Sequence, residues 1–201
     1  MDRIAHIISN VLNPLLIPAY GMIMSLTLTP LCIVPASEKA KVITVILSLT
    51  GILPLMLIIS LKTIGLVSDI GLNDRKQRLM PYSAALVLYV AALFYLYVGG
   101  VPGWMFGFML GASIALAAVT VITQWWKISA HATAMGGLVA FTLSLVINIP
   151  VIVPMLWITI SVIMAAGAVG TSRLILRRHT PMQLIAGTAT GFTSVYLCTL
   201  I

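Results

Sequence analysis

Three connectors hold nearly all the polar chemistry of this chain: LKTIGLVSDIGLNDRKQRLMP at 61–81, QWWKISAH at 124–131 and SRLILRRHTPMQ at 172–183. The last puts Arg173, Arg177, Arg178 and His179 into one short stretch. Arginine offers a planar fork of donors that stays charged and fits phosphate oxygens bidentately. Histidine supplies a nucleophile or a proton donor near neutral pH. Together with Arg75, Lys76, Arg78, Lys127 and His131, these residues suit an oxyanion, above all phosphate. Carboxylates are scarce, since Asp2, Glu38, Asp69 and Asp74 are the only ones in 201 residues. That scarcity argues against a two-metal hydrolase or a magnesium–diphosphate prenyltransferase site, and no metal or cofactor is expected.

The elements that must position these residues are membrane spans. The chain is 61% hydrophobic and only 7% charged, with a mean hydropathy of +1.15. A soluble domain of this length would leave too much apolar surface in water. An all-α polytopic bundle, one integral membrane domain over 1–201, is the expected fold, because lipid leaves no partner for open strand edges. Apolar segments fall at about 11–34, 42–61, 82–98, 104–123, 131–148, 151–171 and 182–201, most near the ~20 residues that cross the hydrocarbon core. The first carries Pro14, Pro18 and Pro30, so a kinked or re-entrant course there gives six spans instead of seven. The net charge of +7 lies mostly in the connectors, which points to anionic lipid or phosphate and not to nucleic acid. Cys32 and Cys198 lie in apolar segments without framework spacing, and are expected to be unpaired thiols.

Two spans separate the first polar connector from the second, and two more separate the second from the third. An even number of crossings returns the chain to the same membrane face. All three connectors are therefore expected to converge, whatever the course of the first segment.

Ser172-Arg173, five residues, His179 and then a position four further on resemble the third signature, SR-x5-H-x3-D, of the type 2 phosphatidic acid phosphatase superfamily. Ser129-Ala130-His131 resembles the second, PSGH, and RKQRLMP at 75–81 loosely echoes the first, K-x6-RP. The resemblance spans roughly 70–191. It implies a metal-independent phosphohydrolase acting on lipid phosphates or diphosphates, such as an undecaprenyl or glycerolipid substrate, through a phosphohistidine. By it His179 is the nucleophile and His131 the proton donor to the leaving group. Arg173, Ser129, the backbone near Ala130, and Arg75, Lys76 or Arg78 would hold the nonbridging oxygens. Departures are plain: Ile128 replaces the proline of PSGH, Ala130 its glycine, and Gln183 stands where the signature has aspartate. On a helix Gln183 shares a face with His179 and can orient it, but supplies no negative charge to an imidazolium. The alternative is a catalytically impaired relative that binds or moves anionic lipids; an unrelated small transporter would want its polar residues mid-span.

Other residues read more simply. Arg177 and Arg178 suit lipid headgroups, Lys127 beside Trp125-Trp126 an interfacial anchor, and Gly187 and Gly191 close helix packing. The excess of Lys and Arg on the site face places it in the cytoplasm by the positive-inside rule. Resemblance to bacterial enzymes of this kind places it in the periplasm instead, and the side stays open.

Overall fold

Mostly apolar runs bounded by proline, glycine or short polar connectors become helices in a computed structural model that describes residues 2–149 and 155–200. Among the described residues nine α-helices follow in order: α1 (Asp2–Val11), α2 (Ile17–Leu28), α3 (Ala36–Leu47), α4 (Leu53–Thr63), α5 (Leu79–Val98), α6 (Gly103–Ile122), α7 (Ala130–Asn148), α8 (Met155–Ile175) and α9 (Pro181–Cys198). No strand occurs among the described residues, and the fold is an all-α membrane bundle. The first residues of the segment read at 151–171, and Ile201 at the end of the last, lie outside the described residues.

Five helical stretches among the described residues, α3 and α4 forming one of them, are long and apolar enough to cross a membrane: Ala36–Thr63, Leu79–Val98, Gly103–Ile122, Ala130–Asn148 and Met155–Ile175. The expected six or seven spans are corrected at both ends. The first segment is broken around Asn13-Pro14, leaving α2 at 12 residues, about 18 Å long against a core of ~30 Å. The last, α9, has 18 residues but carries Gln183, Thr188, Thr190, Thr193 and Ser194, which dilute its apolar character. The protein is accordingly an integral membrane protein with shorter helices completing the bundle.

Helix α3 runs into α4 through a π-turn at Ser48–Ile52. Pro54 has no N–H to return to the carbonyl of Thr50, and the backbone widens there instead of breaking. Gly51 in that turn lets the broken segment approach, since a Cβ would stand 3.2 Å from Leu15 O.

Helix α9 is wedged against both α6 and α7. A Cβ on Gly191 would lie 1.8 Å from Thr133 O, and one on Gly187 2.8 Å from Ser129 O. On the other side a Cβ on Gly107 would lie 2.0 Å from Cys198 O. The packing role read for Gly187 and Gly191 is what the backbone requires. The apolar core centres on Phe108 and Phe141, stacked with centroids 4.2 Å apart.

Candidate functional site

The three polar connectors meet at one end of the bundle. Arg75 Nη1 donates to the carbonyl of Gln124, tying the first connector to the second. Arg78 makes a second and deeper tie: it is 3% exposed, with Nε donating to Leu72 O at 2.8 Å and Nη1 to Ile128 O at 2.9 Å. Leu72 adopts φ +48°, a left-handed conformation costly for a branched side chain, and its carbonyl serves the Arg78 guanidinium. Asp74 caps the short turn Arg75–Gln77 by accepting from Lys76 N at 3.0 Å.

Behind these ties lies a cavity of about 870 Å³ whose lining includes Arg78, His131, Arg173 and His179. Arg173 ends the long helix α8 and is 9% exposed; its Nε is buried with no hydrogen-bond partner. A buried guanidinium N–H without an acceptor is costly, and the cavity beside it has room for an anion that would supply one.

His179 sits one residue before the Thr180 N-cap of α9, with Pro181 at the first helical position, as Thr180-Pro181 suggests. Its Nδ1 lies 3.0 Å from Gln183 Oε1, and the same oxygen accepts from Thr180 N at 3.2 Å. Because the amide oxygen is already fixed by a backbone donor, Nδ1 must carry the proton and Nε2 keeps its lone pair. Burial chiefly holds the His179 imidazole down at about 3, opposed by the Gln183 hydrogen bond and reinforced by the Arg173, Arg78 and Lys127 cations. At neutral pH the ring is uncharged and nucleophilic at Nε2. Lys127 is pushed below its usual range by burial first and then by Arg78, Arg173 and Arg178, with Asp74 opposing.

His131, in the first turn of α7, lines the same cavity but has a partner that its spacing does not reveal. Its Nε2 lies 3.1 Å from the carbonyl of Ser9, near the C-terminal end of α1. A carbonyl can only accept, so this N–H caps the end of a helix 122 residues away.

The remaining candidates divide. Ala130 lines the cavity. Ser129 is fully buried and is the N-cap of α7, its hydroxyl accepting from Ala132 N at 3.3 Å, and it is not in the lining. Gln183 stands behind His179. Arg75 reaches the second connector instead of the cavity, and Lys76 is exposed. Arg178 N and Arg177 N bond back to Arg173 O and Leu174 O, closing α8 with Arg177 at φ +51°, where glycine is usual. Trp125 is 76% exposed beside Lys127, as an interfacial anchor would be.

Asn13 and Tyr82 also line the cavity, and sequence reasoning passed them over. The adjacency of Asn13 to Pro14 was the one available signal, since both disfavour a continuous helix. Among the described residues no three His, Cys, Asp or Glu side chains gather as a metal-binding group. Comparison of the chain with protein-family models, with curated proteins and with solved structures gives no match.

Proposed function

We propose that this protein is a metal-independent lipid phosphate or diphosphate phosphohydrolase, with the phosphoryl group held beside Arg173 and His179. The observation that carries the reading is the buried, partnerless Nε of Arg173 in a cavity shared with a histidine of fixed tautomer. His179 Nε2 attacks phosphorus, the P–O bond to the lipid breaks, and the departing alkoxide or phosphate takes a proton. Water then cleaves the P–N bond and releases phosphate. Arg173 neutralises charge on the nonbridging oxygens, the main work in such a transfer. Arg78, tied to two carbonyls, adds positive potential more than a free donor. His131 is the proton donor by resemblance; its Nε2–H is engaged with Ser9, so donation to a leaving group requires α1 to yield. The bacterial cytoplasmic membrane is proposed on resemblance alone.

The test is phosphate release from a panel of lipid phosphates by purified protein in EDTA. Activity that vanishes in His179→Ala is the expected result. No turnover on any lipid, with wild type and His179→Ala binding lipid phosphate alike, would sink the enzyme. A second reading, an anionic-lipid binder or carrier, is favoured by Gln183 in place of a carboxylate and by the engaged His131. It predicts binding that depends on Arg173 without phosphate release.

A further inference from the structure

A second, apolar cavity of about 510 Å³ adjoins the cationic one, and Pro14, Tyr89, Leu116 and Ala130 belong to both linings. On α7 the second lining uses Ala130, Thr133, Ala134 and Gly137, the i, i+3, i+4, i+7 face. On α6 it runs from Val119 through Ala115 and Ala112 to Phe108, about 16 Å along the helix axis at 1.5 Å per residue. The cause lies in the packing: α9 wedges against both helices at its glycines, and small side chains leave the rest of the α6–α7 seam unfilled. Toward the far end the lining includes Phe108, itself stacked on Phe141.

We infer that this seam is the binding chamber for the hydrocarbon chain of the substrate, so that the ligand is a lipid phosphate whose chain enters the bundle while its phosphate meets Arg173. The inference rests on the anion-site reading above. Two features point to one amphiphile. Arg173 is more than nine-tenths buried and lacks an acceptor at the cationic end, and the walls beyond Ala130 and Tyr89 turn almost wholly apolar. The α6 and α7 faces are joined in this lining by Ile17 and Pro18 of α2, Tyr89 of α5 and Val195 of α9, and an elongated apolar space of this kind suits one alkyl or isoprenoid chain. Only Thr133 and Tyr89 bring polar side-chain atoms to these walls, and the Thr133 hydroxyl is engaged, donating to Ser129 O at 2.9 Å.

The experiment uses the full chain in bilayer nanodiscs with hexadecyl phosphate carrying a photoreactive diazirine at the chain terminus. Label mapped to α6 and α7 within 108–119 and 134–137 is the expected result. Label on the outward residues Val87, Val90 and Phe94 of α5 instead would overturn the chamber. Ala134→Leu and Ala115→Leu, which fill this space, should lower chamber labelling about tenfold or more, as overpacked sites exclude ligand. Unchanged labelling in both would equally overturn it. Arg173→Ala should also lower labelling about tenfold, the cost of a lost charged hydrogen bond; no change would refute anchoring by the phosphate. Labelling needs no turnover, so a labelled chamber with intact phosphate retains this inference while removing the phosphatase.

Discussion

Gln183 Oε1 receives two hydrogen bonds at once, from His179 Nδ1 at 3.0 Å and from Thr180 N at 3.2 Å, so the residue that aims the ring also closes the start of α9. Gln183→Glu keeps both contacts and adds the missing negative charge. It should raise the pKa of His179 and raise phosphate release about tenfold or more, within the range of acid–base assistance. Gln183→Ala should lose about 1 kcal/mol of stability with the cap and most of the activity with the ring orientation. Histidine NMR titration and a phosphate assay separate the two effects. A faster enzyme with Ala than with Glu would contradict the assignment.

The pH dependence of stability follows from burial of the same ring. His179 titrates at about 3 in the folded protein against 6.5 in an unfolded chain. Between those values the unfolded chain holds a proton that the folded one does not. Stability therefore rises with pH through this window and is lost as pH falls through it. Melting temperatures from pH 7 to pH 4 should decline less steeply in His179→Asn than in wild type. Parallel curves would show that the ring is not held neutral.

Arg78 joins Leu72 O to Ile128 O, so it carries the first connector on the second. Arg78→Lys keeps the charge but cannot serve two carbonyls from a rigid fork. Both Arg78→Lys and Arg78→Ala should destabilise by roughly 2–4 kcal/mol, through carbonyls left unpaired in a buried site. Protease cleavage within 64–78 should increase in step. A variant that resists cleavage like wild type would remove Arg78 from the scaffold.

Two glycines should behave oppositely when given a methyl group. Gly191→Ala places a carbon where Thr133 O stands, forcing α7 and α9 apart, and should cost more than about 3 kcal/mol or abolish folding. Gly167→Ala in α8 meets nothing within 4 Å and should be neutral or stabilising by up to about 1 kcal/mol, through helix propensity. Thermal unfolding in matched detergent decides between them.

Arg177 at φ +51° predicts a gain on substitution. Arg177→Gly should stabilise by about 1 kcal/mol by removing a left-handed penalty at the end of α8. Phosphate release from short-chain substrates should not change, while binding to anionic vesicles should weaken if the side chain meets headgroups. Thermal unfolding and vesicle flotation report the two separately.

The features legible in the sequence were those that depend on local period or on counting. The sequence pairs Gln183 with His179, although the contact is made by the third helical residue reaching back past the N-cap and not by a shared helix face, and an even number of spans brings Arg78, His131, Arg173 and His179 to one end. What escaped is set by packing at long range. The break at Asn13-Pro14 is stabilised by a π-turn beyond residue 47, and Ser9 meets His131 only because α1 folds back along α8. Ser129, a phosphate donor by motif, caps its own helix as an acceptor and is fully buried outside the cavity lining, which the motif does not reveal. The apolar seam is invisible to composition, since alanines beside a cavity read like alanines in a well-packed interface.

The hydrogen bond from His131 to Ser9 ties a protonation state to the placement of a helix. While α1 is docked, the imidazole proton belongs on Nε2 and the lone pair on Nδ1. Lifting α1 frees the ring to exchange tautomers and leaves an orphan carbonyl behind. The docking of α1 is thereby coupled to the acid–base identity of a residue deep in the opposite half of the chain.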